Sequence, residues 1–578
     1  MVESSKGQFN ATPVANNKLK FIFLGIIAVL IIMGSALAYK IFFDKTPKEL
    51  FLEAEYKNFK TIAEKIKKAK EQERVKLAKY LLENSAHITT ELSGDFSIDG
   101  VNDPQLNMIR EMLKKAKIVI DTKNDPKQKK NLAEISLQLS GTNLFDVHIY
   151  QSDKKLGFKV PVLYDKYFVL DGNNLQKSLE KVDYYGEVPN KIITNEDIKN
   201  AVKLPKEQLQ SIGLDYGKFI LSTLKEEDFT LTKDVPFSMG DQEIKSKQIT
   251  LSLPEDRLKD IMVELVSKFR DDEQLLDLIA ENLYSVAHLM EEAGYATSDE
   301  LGDLTDKSKI KTAIRDGALD LKDGVRDLRF PDGLKISILL DKKHNIVDRK
   351  INFVIGHQDS DMKVAFEISK KHWTNKDKSE KSNWDIKVQP RGGHLKGKNE
   401  MTFEFNASTT PDAKPDAWQK KLEAYCKLYD NDQEILNGRA EFNINSQSDK
   451  QEGEKLNTDF VIAAKGQDHS TGYEIKASGE IAQKLKGSFK DEFFDTDSDI
   501  RLKINASDGY SGNEQVTINL NLKENVKLNE TLDFPELNNS NAVNLLEIDE
   551  AEKMQIMREI QNAAFKFYMK NSNLFNMY

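Results

Sequence analysis

Residues 333–357 read GLKISILLDKKHNIVDRKINFVIGH. Leu334, Ile336, Ile338 and Leu340 alternate along the first half. Asp341-Lys342-Lys343-His344-Asn345 supplies a polar turn, and Ile351, Phe353 and Ile355 return with the same period of two. Successive side chains of a strand point to opposite faces, so this spacing predicts an antiparallel hairpin with one apolar and one polar face.

The same period extends toward the C-terminus through Met401-Phe403-Phe405, Phe442-Ile444, Phe460-Ile462, Tyr473-Ile475-Ala477, Leu502-Ile504 and Val516-Ile518-Leu520-Leu522. Polar, Gly- and Asp-bearing turns separate these runs, which predicts a broad meander. Toward the N-terminus it reappears at Ile135-Leu137-Leu139, Phe145-Val147-Ile149 and Leu156-Phe158-Val160, and a strand pair is predicted around 229–231 and 249–253. Elsewhere the period is helical. Leu50, Ala54, Phe59, Ile62 and Ile66 predict a helix over 47–83, with Thr46-Pro47 as cap and first turn. A short helix is predicted over 106–116, mainly helical structure over 170–224, and an amphipathic helix from Pro254 with Leu258, Ile261, Met262, Leu265 and Phe269 on one face. Residues 298–327 are charged and Gly-bearing, and read as a connection with a short helix near 310–319. Asp549 and Glu552 open a last helix with Ile556, Ile560, Ala563 and Phe567 on one side.

The chain has 578 residues, is 39% hydrophobic and 31% charged, and carries a net charge of −10. That composition builds packed cores, and its acidity opposes a nucleic-acid role, which needs a cationic face. The single cysteine, Cys426, excludes an internal disulfide and a Cys-based zinc cluster. It reads as a half-buried residue of a helix.

Phe21–Tyr39 (FIFLGIIAVLIIMGSALAY) carries no charge, and Lys18, Lys20 and Lys40 flank it. At 1.5 Å rise per residue its length matches the ~30 Å hydrocarbon core of a bilayer. The reading preferred here is an uncleaved signal anchor over 21–43, against a signal peptide cut after Ala36-Leu37-Ala38. With residues 1–20 as a short cytoplasmic tail, the C-terminal body is expected outside the cytoplasm, although a Lys/Arg count alone does not set that orientation.

The motifs that would carry chemistry fail on their context. Gly392-Gly393-His394-Leu395-Lys396-Gly397-Lys398 begins like a phosphate loop, but Asn399 replaces the hydroxyl residue and a strand pattern follows where a helix must start. Asp495, Asp497 and Asp499 have the first spacing of a calcium loop, yet Ile500 stands where Gly is required; they read as an acidic turn. The eight histidines are scattered. No catalytic, cofactor-binding or metal residue is assigned, no cofactor or nucleotide is expected, and the protein is expected not to be an enzyme.

Three stretches carry a resemblance: Lys40–Leu50 (KIFFDKTPKEL), Leu253–Ile261 (LPEDRLKDI) and Phe534–Leu545 (FPELNNSNAVNL). Together they resemble an uncharacterised family of membrane-anchored extracytoplasmic proteins of Gram-positive bacteria, with a distant fold-level similarity to lipoprotein-carrier-like sheet proteins. The resemblance brings no catalytic residues. The expected architecture is α+β: an N-terminal transmembrane helix, then two antiparallel-sheet domains with covering helices. The expected divisions are an amphipathic helix over 44–82, a first sheet-and-helix domain over 83–305, a linker over 306–329, a second sheet domain over 330–541 and a terminal helix over 542–578. The expected localisation is the cell membrane, single-pass. The expected function is a membrane-tethered, extracytoplasmic, non-enzymatic binding protein for lipid or another apolar envelope ligand, the alternative being a structural or interaction protein of the envelope without a pocket.

Overall fold

The computed structural model describes residues 46–572, apart from residues 71–72, 100–102, 153–154, 173, 185, 187, 240–241, 376–377, 393–396, 412–416, 450–452, 469–470 and 508–512. Strands dominate it. The first group comprises β1 (Ala86–Ile98), β2 (Ala116–Asp125), β3 (Lys130–Leu139), β4 (Thr142–Gln151), β5 (Lys155–Val160) and β6 (Tyr164–Asp171). Next come β7 (Phe229–Met239), β8 (Gln242–Leu253) and the two-residue β9 (Leu328–Arg329). A long meander follows: β10 (Leu334–Leu340), β11 (Ile346–His357), β12 (Lys363–Thr374), β13 (Glu380–Arg391), β14 (Glu400–Pro411) and β15 (Trp418–Asp430). It continues through β16 (Gln433–Asp449), β17 (Gly453–Asp468), β18 (Thr471–Ser488), β19 (Phe493–Ser507) and β20 (Asn513–Leu528), and β21 (Ala542–Asn544) stands apart.

All belong to one 21-stranded sheet. Across it the order is β21, β6 back to β1, then β20 back to β10, then β8 and β7, with β9 beside β11. Every pair is antiparallel except β21–β6. Among the described residues no pairing joins the outer strands β7 and β21.

The expected α+β fold with two separate sheet domains is therefore corrected. Two pairings merge the expected sheets: β8 with β10 (Ile249 opposite Ile338) and β1 with β20 (Leu92 opposite Leu522). Residues 298–327 are not a connection. Asp306 caps a 21-residue helix, Lys307–Asp327, whose Ile310 and Val325 are buried. Gly317 and Gly324 lowered its apparent helical character, since glycine weakens a helix interior, and packing overrides that weakness. Cys426 lies in β15, where Leu422, Ala424, Cys426 and Leu428 alternate with Glu423, Tyr425 and Lys427.

The single-pass cell-membrane localisation is also corrected. Its span, residues 21–43, lies outside the described residues. Among the described residues no helix is long and apolar enough to cross a membrane; this does not bear on a β-barrel. The extracytoplasmic placement rested on that span and falls with it.

Helices cover one end of the sheet. α1 (Pro47–Lys70) and α2 (Glu73–Glu83) flank residues 71–72, and α3 (Pro104–Lys115) packs on β1. Thr46 caps α1 reciprocally with Glu49: its hydroxyl accepts the Glu49 N–H at 3.2 Å, and the Glu49 carboxylate accepts its N–H at 3.0 Å. α4 (Lys206–Thr223), α5 (Glu255–Asp271), α6 (Glu273–Glu292) and α7 (Lys307–Asp327) follow. The main core forms where Leu50, Phe51 and Ala54 of α1, Ile220 of α4, Ile261, Met262 and Leu265 of α5 and Val325 of α7 meet Ile249, Leu251, Leu253, Ile336 and Ile338. At the far end, residues 532–542 cover Leu132, Tyr150, Tyr167 and Val169, and α8 (Glu550–Lys570) packs Ile556 on Val543 and Phe168.

A half-exposed apolar face and its cationic margin

Register places the alternating apolar residues of successive strands side by side. One row crosses the sheet through Ile338, Arg349, Lys370, Trp384, Phe405, Ala424, Ala440, Ile462, Ala477 and Ile504, each directly opposite the next. The next row on the same face runs Ile386, Phe403, Cys426, Gly438, Ala464, Ile475. On the other side lies Ala407, Leu422, Phe442, Phe460, Gly479, Leu502. Rows on one face are two residues apart, about 7 Å.

The opposite face of these strands is polar. There Lys421 pairs with Glu423, Arg439 with Glu441 and Lys465 with Glu474. A single face thus continues the apolar surface of the helix-covered core across β13–β19.

Between β13 and β18 that face is not covered like the core. Ile462, Ile475 and Met401 are 45%, 51% and 44% exposed, whereas Ile338 in the core is fully buried. Its centre is shallow. Ala424, Cys426, Gly438, Ala440 and Ala464 have little or no side chain, and a Cβ placed on Gly438 would meet nothing closer than 3.9 Å. Leu422, Phe442 and Phe460 stand on one side, with the last two stacked at 6.1 Å. Leu428 and Leu436 stand on the other.

α1 and α2 follow one margin of this face. Glu55 is buried and binds Arg349 at 2.5 Å; Lys65 binds Glu380 at 2.9 Å; Arg74 reaches Glu454 and Gln483. Leu77 then packs with Leu485, Phe494 and Val526. Arg349, Glu380, Glu454 and Gln483 all sit at the same set of strand ends.

Cations gather where the covered core gives way to the open stretch. Arg349 is taken by Glu55 and Lys65 by Glu380. Lys370 has no salt-bridged carboxylate among the described residues, and its ammonium lies 4.5 Å from the centre of the Trp384 ring on β13. Burial, with Arg349 and Lys65 beside it, pushes the Lys370 ammonium below the usual lysine range. Burial and Lys65 likewise lower His372. Burial raises the Glu55 carboxyl against the pull of Arg349.

Beneath the helices the apolar face is a packed core; beyond them it stays half-exposed, an open trough. An open cleft of about 440 Å³ lies on the polar face, beside α3, among Asp95, Lys114, Glu480, Asp499, Arg501 and Asn519. Two of its acids bond to amides: Asn519 donates to Asp95 at 2.7 Å and Asn521 to Asp499 at 2.8 Å. Ile500 and Leu520 also line the cleft.

The motifs weighed from sequence fall elsewhere. Asp495, Asp497 and Asp499 lie on β19 rather than in a turn, and Asn525 and Asn521 bond to them from β20. Of the loop 392–398, residues 393–396 lie outside the described residues; Lys398 stacks over Tyr429 at 3.6 Å and a strand follows. Cys426 is free on the trough floor. Among the described residues no group of three or more His, Cys, Asp or Glu is placed to hold a metal ion. His344 meets Glu53 and His372 lies beside Lys370; His394 lies outside the described residues. Sequence reading assigned no role to Lys370 or Trp384. Their signal was a lysine and a tryptophan at positions where the period of two calls for the apolar side, which only register turns into a location.

No family model and no curated protein matches the chain. Among solved structures it is similar to OccK2 (OpdF) of Pseudomonas aeruginosa, at 6% identity over 78% of this chain and 99% of that one, TM-score 0.24. It is similar to the outer membrane protein opdK of the same organism at 8% identity, over 77% of this chain and 100% of that one, TM-score 0.23. Acinetobacter baumannii OccAB4 gives 6% identity, 77% and 98% coverage, and a TM-score of 0.22. Scores of this size do not establish a common fold.

Proposed function

We propose that the protein is a non-enzymatic binding protein that holds the apolar chain of an elongated amphiphile along β13–β18. One observation carries the reading: an apolar sheet face continuous with the core stays half-exposed over successive strands, with a shallow floor between walls of Phe and Leu. Apolar surface of that extent gains about 25 cal/mol for each Å² removed from water. A methylene chain suits it because the apolar face runs across six strands, with Trp384 and Phe405 leading to the small-residue floor of Ala424, Cys426, Gly438, Ala440 and Ala464. Strands lie about 4.8 Å apart, so five strand spacings from Lys370 to Ile462 span about 24 Å, the scale of a long acyl chain. The charged end of the row fits the polar end of an amphiphile.

The test uses the full chain and the neutral apolar probe N-phenyl-1-naphthylamine. Saturable fluorescence enhancement, reversed by 1-hexadecanol, is expected. Ala440→Phe, which fills the floor without touching the covered core, should weaken both ligands at least tenfold at an unchanged melting temperature. Absence of saturable binding, or binding indifferent to Ala440→Phe, would sink the reading.

A further inference from the structure

We infer that Lys370 is the head-group site of this trough and that its ligand is a long-chain carboxylate, a fatty acid anion. This rests on the trough reading above and adds the class of ligand.

The argument is one of charge and direction. Three cationic side chains lie at the margin, and two are already neutralised: the Arg349 guanidinium by Glu55 at 2.5 Å and the Lys65 ammonium by Glu380 at 2.9 Å. Lys370 alone of the three has no carboxylate within salt-bridge distance among the described residues; Glu55, already paired with Arg349, acts on it only from further off. The Lys370 ammonium leans over Trp384, the next residue of its row toward the trough, with Lys65 and Glu55 of α1 also close enough to act on it. Phe405 and Ala424 continue that row. A ligand with its head on Lys370 thus finds aromatic surface and then the shallow floor in a straight line.

The same arithmetic selects the head group. One unneutralised point charge complements a monoanion. A phosphate dianion favours the planar fork of arginine, and here that fork is occupied. Lys370 is half-buried, and the low local dielectric strengthens its attraction for a carboxylate. An anion beside the ammonium opposes the burial and neighbouring cations that lower it, so carboxylate binding and Lys370 protonation reinforce one another.

The experiment is displacement of N-phenyl-1-naphthylamine from the full-length protein by palmitate, 1-hexadecanol and 1-palmitoyl-lysophosphatidate, each below its micelle concentration, in wild type and Lys370→Met. Methionine keeps the length and apolar stem of lysine, and a thermal melt of the variant checks its fold. Palmitate should displace the probe at about tenfold lower concentration than hexadecanol in the wild type. In Lys370→Met that preference should vanish, with the hexadecanol curve unmoved. A second variant, Lys370→Arg, should retain the preference. A preference that survives in Lys370→Met overturns the head-group assignment while leaving the trough intact. Tighter displacement by the lysophosphatidate than by palmitate overturns the carboxylate class. Failure of hexadecanol itself to displace the probe overturns the trough reading, and this inference with it.

Discussion

Two regions of one sheet carry the same pattern and end differently. In β8–β10–β11 the apolar residues Ile249, Leu251, Ile336 and Ile338 lie beneath α1, α4 and α5 and are lost to water. In β14–β17 the equivalent residues Phe403, Phe405, Phe442, Phe460 and Ile462 belong to the same face, and the last of these is almost half exposed. Period-two alternation reports which side of a strand is apolar; whether that side becomes a core or a binding surface is set by what crosses over it.

The largest expected break in this comparison is at the boundary between the regions. Arg349→Met strips the buried Glu55 carboxylate of its counter-charge, and one of its oxygens already lacks a hydrogen-bond partner. Loss of one member of a buried pair costs about 3–5 kcal/mol, so urea unfolding should show a drop of that order. Arg349→Met with Glu55→Met should recover most of it, and an equally unstable double variant would show that packing, not charge, holds α1 there.

Next come matched truncations. Ile338→Ala should cost about 2–5 kcal/mol, the range for a fully buried aliphatic. Ile462→Ala, on the same face and in the same row, should stay within about 0.5 kcal/mol while weakening probe binding. Equal stability losses from both would mean that the open stretch is covered in solution.

The smallest effect concerns Glu524, which lies on the apolar face between Thr496 and Thr90. Burial raises its carboxyl, so the folded state holds the proton more tightly than the unfolded chain. Its contribution is fully present below the ordinary glutamate value of about 4.3 and is lost as pH rises through the folded value. The melting temperature of Glu524→Gln relative to wild type should therefore climb between pH 4 and pH 8; a flat or falling difference would place Glu524 in open water.

Much of this was legible from side-chain spacing alone. The hairpin of β10 and β11, the strands through Leu522, the helix opened by Pro254 and the cap at Asp549 all appear where the periods put them. Cys426 was misread because Ala424, Cys426 and Ala440 are too small to register as an apolar stripe, and that smallness is what makes the floor shallow. The division into two sheets failed for another reason: the pairings β1–β20 and β8–β10 are set by distant partners, and no local period encodes them. Lys370 was invisible as a site for the same reason, since its meaning lies in having Arg349 on one side and Trp384 on the other.

The pairing of β1 with β20 also has a temporal side. β1 ends at Ile98, and its partner begins at Asn513. At about 5–20 residues per second on the ribosome, the β1–β6 meander emerges and then waits on the order of tens of seconds for the strand that completes β1. Over that interval β1 is an unprotected edge, ready to join any other extended chain. The nascent protein therefore needs its edge at β1 shielded during the synthesis of its middle, and a chain released just before Asn513 would hold β1–β19 with β1 and β19 still unjoined.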